Sequence, residues 1–191
     1  NNAEINANDI DLIIVATVTP DHPFPATAAR VQAKIGANKA FAFDVNAVCS
    51  GFIYALSVAD QYLKTGMAKR ALVIGADAMS KILNWNDRAT AVLFGDGAGA
   101  VVLQPTAESN CGILSTHLHS DGESAEMLAM YNPGTHANYW TAQALAHFDE
   151  AAIGEMFMSH AMIDEAQNFP FMDGPSVFKK AVIKFPEVIM E

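Results

Sequence analysis

A single cysteine, Cys49, stands in the run FDVNAVCSGFIYALSVADQYL, residues 43–63, where a short apolar stretch gives way to a longer one. Nucleophilic chemistry suits this position. The thiolate is the reactive form of cysteine, and a helix N-terminus favours it through unpaired N–H groups and the positive end of the helix dipole. Ser50-Gly51 follows at the first turn of a predicted helix, so Gly51 permits close approach of backbone or ligand and offers an N–H to a developing oxyanion. Strand, tight turn and helix also make up the nucleophile elbow of hydrolases. From spacing alone the same cysteine also reads as a small buried side chain at a tight turn, since free cysteine is among the most buried residue types. Cys111 is far away in sequence, which gives neither a disulfide framework nor a paired metal-ligand spacing.

The elements that would position Cys49 follow from the apolar patterning. Residues 11–18 (DLIIVATV) are a continuous β-branched run of strand length, followed by a loop punctuated by Pro20, Pro23 and Pro25. Thr27 to Ile35 reads as a helix ended by Gly36, residues 40–45 as a second strand, and Ser50 to Thr65 as a helix ended by Gly66. The start of the latter is apolar all round, which predicts burial between layers. Residues 71–76 (ALVIGA) give a third strand. Strand and helix in alternation predict βαβ units in a covered parallel sheet, an α/β fold.

Further along, AVLF (91–94) and AGAVVL (98–103) flank Gly95-Asp96-Gly97, which reads as a hairpin and not as a phosphate cradle, because no helix follows. Residues 104–110 are turn-rich and mark a boundary near 110, and residues 113–121 read as another strand. Residues 122–173 are rich in Met, His and Ala, with a helical stretch at about 141–166. From Pro175 a helix resumes, with Val177, Phe178, Ala181, Val182, Phe185, Val188 and Ile189 on one face and a kink expected at Pro186.

At 191 residues and 51% apolar composition the chain can build one sizeable core. A net charge of −10 argues against a nucleic-acid partner, which calls for a basic face. No run approaches the length of a membrane span, and residues 1–30 lack a signal-peptide pattern. A reducing, cytoplasmic setting is the expectation.

The segments VNAVCSGFIYAL (45–56), NWNDRATAVLFGDGAGAVVL (84–103) and MDGPSVFKKAV (172–182), with TPDHPFPATAARVQAKIGA (19–37), resemble β-ketoacyl-acyl-carrier-protein synthase III in order and rough spacing. That family implies a partial thiolase-like αβαβα layered fold. On this reading residues 1–110 form most of the N-terminal half, and residues 111–191 begin the C-terminal half with a long insertion at 125–171. The resemblance makes Cys49 the catalytic nucleophile that takes an acyl group from acyl-CoA and passes it to malonyl-acyl-carrier protein, initiating fatty-acid synthesis. Arg88 matches a residue contacting the CoA nucleotide, Phe94 an aromatic of the acyl pocket, and Gly174 a glycine near the pantetheine arm. Phe24 matches an aromatic that enters the partner subunit's acyl pocket in a homodimer, and Lys179 a basic contact for the acidic carrier protein. CoA thioester is expected as substrate, with no cofactor and no metal. Two alternatives stay open: another condensing enzyme of secondary metabolism, and a non-catalytic partner subunit, which the intact Cys49 disfavours.

Two family features have no counterpart here. The histidine and asparagine that serve decarboxylation occur in His-Gln-Ala-Asn and Gly-Asn-Thr motifs, and none of the six histidines has that context. The expectation is therefore a central piece of a longer protein, inactive in condensation by itself.

Overall fold

The computed structural model describes residues 3–108, 110–131, 133–134, 163–164 and 168–191. They fall into two compact units, Asn1–Ala78 with Gly95–Leu118, and Met79–Phe94 with His119–Glu191. Residues 79–94 thus group with the second unit, although the sequence places them before the boundary near 110.

The first unit is a four-stranded sheet with helices. Its strands are β1 (Leu12–Ala16), β2 (Phe41–Val45), β3 (Ala71–Ala78) and β4 (Asp96–Leu103), in the order β2-β1-β3-β4. β1 runs parallel to β2 and β3, and β4 antiparallel to β3. Every residue of β1 is buried, because both faces of this central strand are covered. Leu12, Ile14 and Ala16 pack with Ala55 and Ala59 of helix α2 (Gly51–Lys64), while Ile13 and Val15 pack with Ala28 of helix α1 (Thr27–Ile35). The two-residue period of the strand thus divides its side chains between two apolar layers.

Local sequence explains the helix limits. α1 ends at Gly36, whose φ of 76° is a conformation that glycine adopts without steric cost. At its start Ala26 offers no side-chain cap. Asp44, on the neighbouring β2, supplies one instead: its carboxylate accepts the Thr27 and Ala28 N–H groups at 2.7 and 2.8 Å. α2 lies close on the sheet because Gly75 of β3 leaves room for Phe52. A Cβ at Gly75 would stand 3.2 Å from Phe52 Cδ2. The outward side of α2 is less covered than its apolar sequence predicts, with Ile53 49% exposed.

Other expectations change. Residues 91–94 form no hairpin arm: Ala91 ends a short helix, α3 (Arg88–Ala91), and β4 already begins at Asp96 and pairs with β3. Asp87 sets that helix start, accepting the Ala89 N–H at 2.9 Å and the hydroxyl of buried Thr90 at 2.6 Å. Residues 113–121 form no strand among the described residues, and neither described sheet includes them. The helical stretch expected at 141–166 lies outside the described residues except for Ile163 and Asp164. In the second unit β5 (Leu128–Ala129) pairs with β6 (Phe171–Met172), and helix α4 spans Gly174–Ile189 through Pro186. Asp173 caps α4 at Ser176 N–H (3.3 Å), and Lys180 ties it to Asp121 (2.7 Å).

Candidate active site

β2 ends at Val45, whose carbonyl accepts the Thr17 N–H at 3.2 Å, and only five residues separate it from α2. The chain reverses within them. Val48 takes φ +46°, a left-handed conformation rare for a β-branched residue, and a single 3-10 turn, Val48–Ser50, leads into the helix. Ser50 N–H closes on Ala47 O at 3.1 Å. Gly51 is buried, and a Cβ there would stand 3.3 Å from Ala16 Cβ. Glycine therefore lets the helix start lie against the carboxyl end of β1, and the turn is fixed at both ends.

Cys49 occupies the middle of that turn and is exposed. The sequence leads one to expect a buried junction. Among the described residues, the reversal beyond the end of β2 instead leaves the thiol exposed. The N–H of Gly51 is also not the free donor expected for an oxyanion, because it donates to the Val48 carbonyl.

Phe24 belongs to the same unit and is 84% exposed in the proline loop, whose return into α1 is held by Asp44. The other four residues lie in the second unit. Arg88 is exposed at the first position of α3, and Phe94 is half-buried. Gly174 is the first residue of α4; a Cβ there would meet Met172 Cε at 3.6 Å, an ordinary contact. Lys179 is exposed on α4, beside the paired Lys180. His117 Nε2 stands 3.2 Å from Ser115 Oγ, and His119 Nε2 2.8 Å from a Glu191 carboxylate oxygen.

Sequence reasoning passed over a polar knot at the carboxyl ends of β1 and β3. One Asp77 oxygen accepts from Val18 N–H (2.8 Å), Thr17 Oγ1 and Thr19 Oγ1 (both 3.2 Å), while Thr19 Oγ1 accepts from Ala78 N–H (2.8 Å). A cleft of about 350 Å³ opens there, lined in part by Thr17, Thr19, Asp21, Thr27, Asp77 and Asp96; Cys49 does not line it. The signal was the polar residues of TVTPD following a wholly apolar strand, together with an aspartate inside ALVIGADA. These groups satisfy each other where the strands end, which is a structural task.

Residues 43–122 match the family described as 3-oxoacyl-[acyl-carrier-protein (ACP)] synthase III. The chain is 45% identical over 189 residues to the β-ketoacyl-[acyl-carrier-protein] synthase III of Chlorobium chlorochromatii, covering 98% of this chain and 52% of that protein. It is 60% identical over 127 residues to the protein of the same name from Ehrlichia canis, covering 66% and 40% respectively. Among solved structures, β-ketoacyl-[acyl carrier protein] synthase III from Thermus thermophilus superposes with a TM-score of 0.75 at 40% identity, covering 95% of this chain and 49% of that one. The chain spans about half the length of the curated relatives it matches.

Proposed function

We propose, for a chain that over the stretch it spans belongs to the β-ketoacyl-acyl-carrier-protein synthase III family, that Cys49 is the nucleophile of an acyltransferase. Its thiolate attacks the carbonyl carbon of an acyl-CoA. A new S–C bond forms, the CoA sulfur leaves as the old thioester bond breaks, and the proton released from Cys49 passes to it. Malonyl-acyl-carrier protein then loses carbon dioxide, and the resulting carbanion attacks the Cys49 thioester. The products are β-ketoacyl-carrier protein and a free Cys49 thiolate, the first condensation of fatty-acid synthesis. Covalent catalysis divides a difficult transfer into two easier steps.

One observation carries the reading: an exposed cysteine on a fixed strand-turn-helix junction inside the matched residues 43–122. The remaining assignments rest on the family pattern. Arg88 meets the CoA nucleotide and Gly174 the pantetheine arm, Phe94 lines the acyl pocket, and Lys179 contacts the carrier protein. Phe24, exposed in its loop, reaches the acyl pocket of a second copy in a homodimer. The CoA thioester is a substrate and no further cofactor takes part. The setting is the cytoplasm; among the described residues no helix is long and apolar enough to cross a membrane.

The test is a condensation assay of the native full-length protein with acetyl-CoA and malonyl-acyl-carrier protein. Acetoacetyl-carrier protein is expected from the wild type and lost in Cys49→Ala. Equal product from both would sink the assignment.

A further inference from the structure

We propose that Val48 lines the acyl site beside Cys49 and sets the size of the acyl group the thiol accepts; this rests on the reading of Cys49 as nucleophile. Val48 holds φ at +46°, where a β-branched side chain crowds its own backbone. Glycine or asparagine would hold the same turn at lower cost. Among the described residues burial does not compensate, since Val48 is 52% exposed, and its N–H reaches Asn46 Oδ1 only at 3.4 Å. The packing of this unit therefore gives the valine no use for its methyl groups.

Its neighbour does. Adjacent Cα atoms lie about 3.8 Å apart, so the Val48 side chain starts one residue from the sulfur that would carry the acyl chain. Between Asn46 and Gly51 the other residues are Ala47, Cys49 and Ser50, which leaves Val48 as the one branched apolar side chain of the turn. The turn cannot swing away: Thr17 holds Val45 at one end and Gly51 abuts Ala16 at the other. A strained residue fixed at a functional turn is where such a conformation is expected to serve the site.

The experiment measures Cys49 acylation in the full-length protein with acetyl-CoA and with the branched isobutyryl-CoA, for wild type, Val48→Gly and Val48→Thr. Removing the branched side chain raises the isobutyryl-to-acetyl rate ratio by about tenfold, the discrimination expected of one or two methyl groups. Val48→Thr, of the same shape, keeps the wild-type ratio. An unchanged ratio in a folded Val48→Gly overturns the proposal, as does a shift in Val48→Thr as large as in Val48→Gly. A change of oligomeric state in Val48→Gly, read by light scattering, also overturns it by giving the side chain to a contact between copies. Failure of the wild type to acylate Cys49 would instead overturn the nucleophile assignment itself.

Discussion

Removing the Asp44 carboxylate tests the structural argument where it is most quantitative. Asp44 sits on β2, yet it accepts the Thr27 and Ala28 N–H groups of α1 at 2.7 and 2.8 Å, and no residue of the helix's own start replaces it. A hydrogen bond to a charged group contributes about 1.5–3 kcal/mol and loss of a helix cap about 1 kcal/mol. Because the site is only part-buried, the two bonds together are worth less than their sum. Asp44→Ala should thus destabilise the protein by about 2–3 kcal/mol. Asp44→Asn keeps one carbonyl acceptor but loses the charge at the helix N-terminus, and should cost about 1 kcal/mol. Denaturant titration of the full-length protein gives both values, and amide exchange at Thr27 and Ala28 should quicken in step. A loss below about 0.5 kcal/mol in Asp44→Ala, the range of an ordinary surface change, would refute the claim that β2 caps α1.

Other outcomes follow from single contacts. Gly75→Ala places a Cβ 3.2 Å from Phe52 Cδ2 and 3.4 Å from Phe52 Cβ; the ring must shift, and the melting temperature should fall by the equivalent of about 1–3 kcal/mol. Asp87 is held below its ordinary carboxylate value of 3.8 first by the Thr90 hydroxyl, then by the Ala89 N–H. A depressed folded-state value stabilises above 3.8 and loses that contribution as pH falls through the folded value. Thr90→Val should therefore move the Asp87 carboxyl upward in an NMR titration and flatten the acid limb of the stability profile. On the proposed role of Arg88 at the CoA nucleotide, Arg88→Ala should raise KM for acyl-CoA by about tenfold with a smaller change in kcat, as expected when a charge-assisted contact made equally in ground and transition states is lost.

The parallel core was legible because DLIIVATV and ALVIGA are unbroken apolar runs that suit only a covered sheet, and because Gly36 and Gly66 mark helix ends they do occupy, both at φ 76°. The misread stretches depended on tertiary choice. AVLF and AGAVVL look like hairpin arms locally, but Asp87 starts a helix ahead of the first, and β3 rather than its sequence neighbour pairs with the second. Residues 113–121 alternate like a strand and find no described edge. At the candidate site, the strand-turn-helix junction around Cys49 was legible, and Gly51 from the need for close approach. The left-handed Val48, the exposed thiol and the Gly51 N–H already used by Val48 were not, because each depends on how the five-residue turn closes. Asp44 was invisible as a cap, since its helix precedes it by 17 positions in the sequence.

The central claim is that Cys49 carries the acyl group, and peptide mass spectrometry after a brief exposure of the full-length protein to acetyl-CoA tests it most directly. One acetyl group should appear on the peptide containing Cys49, none on that containing Cys111, and none in Cys49→Ala. Acetylation at Cys111, or equal labelling of Cys49→Ala, would contradict the account.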